Sequence, residues 1–229
     1  MLEVIPSINR PTWQEVESDI KKIESSADWV EIDVADGSLS RVKTWNNPEE
    51  LKNLQQTKPL RFCVHLMVKN PEKYVKQWID AKVRRVIIQL EGVSGGFFGG
   101  KTGKTIEVIA GLCKENWVEF GLSVSPKTDV GKLAPYLGLV DIAQILSVPI
   151  GYSNQAFDFS QLSKMAELKH FQKDNQFRTE WDGSVDMETI SEIKKSGADI
   201  IVSTSFVFGA AEPGKALEIL KKSAIGIGV

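Results

Sequence analysis

The chain has 229 residues, enough for one large α/β domain or two small ones, and it is 42% hydrophobic and 25% charged, like an ordinary globular protein. A net charge of −2 gives no electrostatic reason to expect nucleic acid or an anionic membrane surface as a partner. The apolar runs are shorter than the roughly 20 residues that span a bilayer, and no secretory signal is visible, so we expect a cytoplasmic protein. Cys63 and Cys113 form no CxxC pair, and their apolar neighbours predict buried thiols.

A short apolar run, a polar turn and a longer stretch of helical periodicity alternate along the whole chain. The predicted strands are 3–7, 29–34, 60–66, 85–90, 118–124, 140–147, 177–182 and 199–204. The predicted helices are 12–25, 48–55, 71–81, 104–115, 130–137, 159–168, 186–196 and 212–221. Helix-start signals support three of them: Thr12 followed by Glu15, Asn70 before Pro71, and Asp186.

Eight strands that alternate with eight helices predict a single (β/α)8 barrel, a TIM barrel, over residues 1–229. No linker or low-complexity tract suggests a second domain. The alternative is an open doubly wound sheet, which would also place ligands at the carboxyl ends of its strands.

Polar side chains stand at or just beyond the carboxyl ends of all eight predicted strands, the face on which such barrels carry their active sites. In strand order they are Ser7; Glu31 and Asp33; His65 and Met67; Gln89 and Glu91; Ser125; Ser147; Glu180 and Asp182; and Ser203, Thr204 and Ser205.

Glu31 and Asp33 are two residues apart, so on a strand their side chains point to the same side, which we expect to be the barrel interior. Two carboxylates in this interior repel each other unless a cation or a proton intervenes. A lone strand-end Asp is usually a helix cap or turn former, and a lone His, such as His170 in a polar loop, is usually structural. The convergence of Glu31, Asp33, His65 and Asp182 at one mouth instead favours a metal or catalytic site.

Short motifs also follow the strands in series. They are Ser7, Glu-Ile-Asp-Val-Ala-Asp-Gly at 31–37, Val-His-Leu-Met at 64–67, Asn-Pro-Glu at 70–72, Leu-Ser-Val at 146–148, the segment 151–155, and Glu-Trp-Asp-Gly-Ser-Val at 180–185. In order and spacing, over nearly the whole chain, this series resembles the ribulose-phosphate 3-epimerase family. The resemblance implies a ribulose-phosphate-binding barrel, a phosphorylated sugar as substrate and a homo-oligomer.

The resemblance also implies roles for individual residues. In that family two histidines and two aspartates hold a divalent metal, and the aspartates act as acid and base on opposite faces of C3 of a pentulose 5-phosphate. Asp33, His65 and Asp182 match three metal positions, and the two aspartates match both acid/base positions. Ser7 matches a sugar contact, and Met67 a methionine over the enediolate. The further residues implied to bind the substrate are Gly151, Ser153, Asn154, Gly183, Ser184, Thr204 and Ser205.

The chain departs from the family pattern in the predicted metal site, where Glu31 stands at the position of the family's first metal-binding histidine. A set of three carboxylates and one imidazole favours Mn²⁺, Fe²⁺ or Mg²⁺ over Zn²⁺, or else Glu31 marks the loss of the metal. Ala35 and Leu146 stand at the other two methionine positions. At the phosphate, side chains replace family glycines at Ser153-Asn154, Ser184 and Thr204; their hydroxyls can add donors or block close approach.

Residues 95–102, Gly-Gly-Phe-Phe-Gly-Gly-Lys-Thr, fit the P-loop pattern, but the glycines begin past the strand end and the phenylalanines stand where the loop should wrap phosphates. We interpret 95–103 instead as a mobile glycine-rich loop that can act as a lid, with Lys101 or Lys104 able to meet an anion.

The sequence therefore predicts a metal-assisted isomerase of the ribulose-phosphate 3-epimerase type. The alternatives are a divergent phosphosugar epimerase or lyase with another substrate, and a non-catalytic phosphosugar-binding barrel.

Overall fold

Eight parallel strands close a barrel in chain order, and β8 pairs with β1 to complete the ring. The computed structural model describes residues 2–93 and 100–226, without the side chains of residues 100 and 101. The strands are β1 Glu3–Ile8, β2 Trp29–Ala35, β3 Arg61–Met67, β4 Arg85–Gln89, β5 Glu119–Val124, β6 Ile142–Leu146, β7 Arg178–Asp182 and β8 Ile200–Ser203. The predicted (β/α)8 barrel is confirmed, and the closing pair excludes an open doubly wound sheet.

Helices connect the strands on the outside of the ring. They are α1 Trp13–Ile23, α2 Pro48–Lys52, α3 Val75–Asp80, α4 Gly100–Glu115, α5 Leu162–Phe171, α6 Ile190–Lys195, α7 Ser205–Phe208 and α8 Pro213–Ile225. The predicted helix at 130–137 forms as a 3-10 helix, Val130–Leu139, with Pro135 inside it; proline has no N–H to give the α-helical hydrogen bond. The four-residue α7 was not predicted. Within the described residues, no helix is long and apolar enough to cross a membrane.

The helix-start signals act locally in different ways. The Thr12 hydroxyl accepts a hydrogen bond from the Glu15 backbone N–H at 3.4 Å and donates to Glu15 Oε2 at 2.6 Å. Asp186 Oδ1 accepts from the backbone N–H of Glu188 and of Thr189, both at 2.9 Å, so it caps the turn that leads into α6. Asn70 adopts a left-handed backbone with φ 55° immediately before the 3-10 turn Pro71–Lys73.

The strand residues alternate between two environments. Those that face outward pack against the helices in the main core, as Val30, Ile32 and Val34 of β2 do. An apolar layer fills the lower barrel interior and consists of Ile5, Trp29, Cys63, Ile87, Ile142, Ile200 and Val202. Both cysteines are free and buried, as predicted. Above the apolar layer the interior is polar, and this is where the site lies.

Candidate active site

Four ligand-type side chains meet inside the barrel near the carboxyl ends of its strands. Asp33 of β2 stands beside His65 of β3 in the parallel register, Glu31 lies two residues earlier on β2, and Asp182 is the last residue of β7. Each offers one ligand atom, and these atoms all lie within 4.8 Å of one another. All four residues are buried. Glu31 and His65 therefore face inward, as the strand alternation predicts.

Several buried polar atoms here have no hydrogen-bond partner within the described residues, namely Ser7 Oγ, Glu31 Oε1, Asp33 Oδ1 and His65 Nδ1. An unpartnered buried polar atom is costly, and such atoms in one cluster of carboxylates and an imidazole fit a bound cation. The residues present therefore fit a divalent metal ion, and the donor set is mainly oxygen.

His65 is the basic group of the cluster. Its Nδ1 lies 3.5 Å from Asp182 Oδ2 and 3.7 Å from Asp33 Oδ1. Its Nε2 lies 3.1 Å from Gln89 Nε2, and Gln89 Nε2 donates to Ser123 Oγ at 3.0 Å. Burial by itself would lower the pKa of His65, but the neighbouring carboxylates outweigh burial and raise that pKa to about 10. Without a metal ion, the cluster is thus neutralised in part by a proton on His65.

Glu31 is the most deeply buried of the three carboxylates. Burial raises its pKa well above the ordinary value, and the negative charges of Glu180 and Asp182 add to the effect. Its Oε2 accepts a hydrogen bond from Cys63 Sγ at 3.2 Å. Burial also raises the pKa of Asp182, and the nearby Asp33 contributes in the same direction.

A second buried charged group lies beside this cluster and was not predicted. Arg85 Nη1 is 3.2 Å from Glu180 Oε2, and its Nε donates to Glu119 Oε2 at 2.7 Å. Gln144 Nε2 donates to Glu180 Oε1 at 2.8 Å, and the Arg85 guanidinium lies 4.4 Å from the centre of the Trp29 ring. Glu180 was counted among the strand-end residues, yet it pairs with Arg85. The strand alternation could have identified Arg85 as an inward-facing residue. Arg85 pairs in register with the inward-facing Cys63, so both side chains lie on the same side of the sheet.

Above the cluster a cavity opens at the barrel mouth, and nearly all of the predicted site residues line it. They are Asp33, Met67, Gly151, Ser153, Asn154, Asp182, Gly183, Ser184, Thr204 and Ser205. Of the predicted substrate contacts, Ser7 is fully buried and lies beside Glu31 in the β1–β2 register rather than in the cavity wall. Asn9 lines the cavity and was missed; its Nδ2 lies 3.4 Å from Asp33 Oδ2 and 3.3 Å from the carbonyl of Gly151.

The loops at the mouth keep glycine-type backbone even where glycine is replaced. Gly183 has φ +115°, and a Cβ there would lie 2.6 Å from Ser147 Oγ. Asn154 and Ser184 adopt φ 55° and 52°, in the left-handed region that glycine adopts most readily. The Ser184 hydroxyl donates to the carbonyl of Gln155 at 2.8 Å, which ties the loop after β7 to the loop after β6.

The glycine-rich segment was predicted to be a lid. Residues 94–99 lie outside the described residues, so neither that prediction nor the P-loop pattern is tested there. Residues 100–103, predicted as part of this loop, are instead helical: α4 begins at Gly100, inside the P-loop pattern, and Thr102 is buried in it.

The closed ring of strands and the buried cluster of three carboxylates and one imidazole define a (β/α)8 barrel with a metal-type site at the catalytic face. The chain matches the family model described as the ribulose-phosphate 3 epimerase family over residues 3–208. It belongs to that family.

Curated relatives agree over most of the chain. It is 30% identical over 220 residues to the cytoplasmic isoform of ribulose-phosphate 3-epimerase from Oryza sativa subsp. japonica, with 90% of this chain and 86% of the relative covered. It is 27% identical over 227 residues to ribulose-phosphate 3-epimerase from Bacillus subtilis (strain 168), with 97% and 100% covered. It is 28% identical over 218 residues to ribulose-phosphate 3-epimerase from Candida glabrata, with 87% of this chain and 82% of the relative covered.

Solved structures show the same fold at low identity. A 3-hexulose-6-phosphate synthase superposes with a TM-score of 0.73 at 14% identity, covering 99% of this chain and 100% of its own. A 3-keto-L-gulonate-6-phosphate decarboxylase from Vibrio cholerae gives a TM-score of 0.73 at 10% identity, with 99% of each chain covered. These likenesses support the barrel and say nothing further about the reaction.

Proposed function

We propose that this chain is a metal-dependent 3-epimerase that interconverts the C3 epimers of a pentulose 5-phosphate such as ribulose 5-phosphate. The observation that carries the proposal is the buried cluster of Glu31, Asp33, His65 and Asp182, whose ligand atoms lie within 4.8 Å of one another. Family membership and the names of the relatives supply the reaction class.

The four residues of the cluster would hold the metal ion. When bound, the ion would polarise the C2 carbonyl of the substrate and stabilise negative charge on its oxygen. Three carboxylates and one imidazole favour Mn²⁺, Fe²⁺ or Mg²⁺, with Zn²⁺ the less suited ion. His65 must be neutral to act as a ligand, so loading of the metal displaces the proton that His65 carries in the metal-free protein.

The chain's own residues carry the proton transfer. Asp33 takes the proton from C3, and the electron pair of the C3–H bond moves into the C2–C3 bond as the C2 carbonyl gains an electron pair on oxygen. Asp182, whose pKa is raised by burial and by the nearby Asp33, is the proton donor to the opposite face of C3. In the reverse direction the two carboxyl groups exchange roles.

The cavity above the cluster holds the rest of the substrate. Met67 lines this cavity, where it would cover the reacting carbons, and Ser7 stands beside Glu31 in the register of β1 and β2. We assign the phosphate to the loops after β6, β7 and β8, whose lining residues are Gly151, Ser153, Asn154, Gly183, Ser184, Thr204 and Ser205. A cytoplasmic location and a homo-oligomer remain predictions from the sequence.

Hydrogen–deuterium exchange tests the proposal directly. The protein is incubated with ribulose 5-phosphate in deuterated water, and loss of the C3 proton signal is followed by NMR, together with elemental analysis of the protein. We expect exchange at C3, a near-stoichiometric divalent ion, loss of exchange after chelation, and recovery with Mn²⁺ or Mg²⁺.

Other outcomes select the alternatives. Exchange only with a different ketose phosphate would assign a divergent epimerase, and cleavage of the carbon chain would assign a lyase. A protein that binds the sugar phosphate without metal and without exchange is a non-catalytic barrel.

A further inference from the structure

A second cleft adjoins the cavity at the barrel mouth. This side cleft has a volume of about 300 Å³ and is lined by Asn9, Arg10, Ser153, Asn154, Thr204, Ser205, Phe208 and Gly209. It shares five of these residues with the cavity that contains Asp33 and Asp182, so the two spaces are adjacent. A ligand whose reacting carbon lies at the aspartates can therefore extend toward the side cleft.

The chemistry of the side cleft suits an anion. Of its eight lining residues that the structure describes, only Arg10 is charged, and none is acidic. Five of the others carry an amide or hydroxyl group that can donate a hydrogen bond, namely Asn9, Ser153, Asn154, Thr204 and Ser205. One cation surrounded by neutral donors is the composition expected of a binding site for a phosphate group.

Arg10 is held in place while part of its guanidinium stays available. It follows β1, its backbone carbonyl accepts from the Trp45 N–H at 2.7 Å, and its Nε donates to Asp19 Oδ2 at 2.6 Å. Asp19 is 2% exposed and also pairs through Oδ1 with Lys22 Nζ at 2.7 Å, so two cations share one carboxylate. Within the described part of the chain, the contact to Asp19 is made through Nε, and the Arg10 side chain is 36% exposed.

On the basis of the proposed function, we propose that Arg10 reaches from the side cleft to the phosphate group of the substrate, next to the loops after β6 and β8, and thereby determines the preference for phosphorylated sugars. The two Nη groups of a guanidinium can donate in parallel to two phosphate oxygens, which an ammonium group cannot do. This also accounts for the side chains at Ser153, Asn154 and Thr204, which add donors where the family pattern has glycine. Arg10 acts on binding of the substrate and not on the proton transfer.

The test compares Arg10→Gln with Arg10→Lys and with the control Lys22→Gln, which removes the other partner of Asp19 but leaves the side cleft unchanged. Inorganic phosphate is the probe, measured by calorimetry and by the rise in Tm that it causes in the metal-loaded protein. KM and kcat are then measured with ribulose 5-phosphate and with unphosphorylated ribulose.

We expect Arg10→Gln to weaken phosphate binding and to raise KM for the phosphorylated sugar by about 10- to 100-fold, the usual loss of a charge-assisted hydrogen bond. We expect kcat and the response to unphosphorylated ribulose to stay unchanged, and Arg10→Lys to recover only part of the affinity. Lys22→Gln is expected to behave as the unmodified protein.

Three results would overturn the assignment of Arg10. In the first, phosphate raises the Tm of Arg10→Gln as much as that of the unmodified protein. In the second, Lys22→Gln loses as much affinity for phosphate as Arg10→Gln does. In the third, Arg10→Gln also lowers kcat with unphosphorylated ribulose. The proposed function fails separately. If phosphate binds through Arg10 but no C3 proton is exchanged, the assignment of Arg10 stands and the proposed epimerase reaction is wrong.

Discussion

The barrel interior contains two buried clusters of charged residues, and only one of them includes an arginine. In the lower cluster, Arg85 pairs with Glu180 and Glu119, and Gln144 donates to the other oxygen of Glu180. In the upper cluster, at the mouth, three carboxylates surround the single imidazole of His65. Buried atoms without a hydrogen-bond partner in the described protein occur in both, Gln144 Oε1 in the lower cluster and atoms of Glu31, Asp33 and His65 in the upper one. Glu180 and Asp182 are only two residues apart on β7, on the same face of the strand.

The difference separates a structural role from a functional one. The lower cluster brings its own cation, and its main contacts lie within the protein, so its loss should affect stability. The upper cluster gathers excess negative charge and open ligand atoms, so its loss should affect chemistry while leaving the fold intact. Four experiments test this distinction.

The largest effect is expected for Asp182→Asn. The amide cannot exchange a proton with C3, so we expect the rate of C3 exchange to fall by about 100- to 10,000-fold, the usual contribution of a general acid or base. Stability should change little, because a buried carboxyl beside Asp33 is removed. Asp80→Asn, on the exposed face of α3 where it pairs with Lys76, is the matched control and should retain full activity. Retained exchange in Asp182→Asn would remove Asp182 from the mechanism.

Arg85→Met is expected to show the opposite pattern. It leaves the buried Glu180 without its cation, so we expect a loss of about 3–5 kcal/mol in the free energy of unfolding, measured by urea denaturation. The double variant Arg85→Met/Glu180→Leu should recover much of that loss, because no unpaired charge remains.

Arg178→Met is the control for Arg85→Met. Arg178 pairs with Glu3 at 2.7 Å in a partly exposed position, and its loss should cost only about 0–1 kcal/mol. Equal destabilisation by Arg85→Met and Arg178→Met would contradict the structural role of the lower cluster.

Glu31→His restores the second imidazole of the family pattern. Because imidazole suits Zn²⁺ better than a carboxylate does, we expect the ratio of Zn²⁺ to Mn²⁺ affinity to rise on the order of tenfold. Competition with a chromogenic chelator measures both affinities. Glu31→Asp keeps a carboxylate and should leave the ratio nearly unchanged; an equal shift in both variants would show that residue 31 is not a ligand.

The smallest effect is a pH dependence of the metal-free protein. The pKa of His65 is raised from 6.5 to about 10, so its stabilising contribution is fully present below pH 6.5 and is lost as the pH rises toward 10. The raised pKa of Glu31 acts in the same direction, because its protonated form is favoured in the folded protein. We expect Tm to fall with rising pH in this window, by about 2–4 °C for each kcal/mol lost. His65→Asn should flatten the curve, and an unchanged slope would contradict the electrostatic account.

Much of the fold was predictable because it depends on local patterns. Strands buried on both sides read as short apolar runs, and the turns between them carry caps and glycines, so all eight strands were placed within two residues of their ends. The cluster at the mouth followed from one further rule, that parallel strands end on the same face of a barrel. The positions of Glu31, Asp33, His65 and Asp182 needed no knowledge of distances across the ring.

Other features depend on contacts that no local pattern contains. The strand alternation places Arg85 on the inward side of β4, but its partner is not local: only closure of the ring brings it against Glu180, 95 residues later. Asn9 and Arg10 look like ordinary loop residues, and their place beside the cavity depends on the loop after β6 folding back toward β1. The 3-10 geometry of Val130–Leu139 and the short α7 depend on a proline and on tertiary contacts that outweigh helical propensity.

In the loops at the barrel mouth, residues with a left-handed backbone can change to glycine more easily than a glycine can change to another residue. At Asn154 and Ser184 a change to glycine relaxes the backbone, although at Ser184 it also removes the hydrogen bond to the carbonyl of Gln155. At Gly183 any side chain would collide with Ser147, so this position does not accept a residue other than glycine. Divergence of this binding loop is therefore expected to proceed around a fixed glycine, with new specificities arising on either side of it.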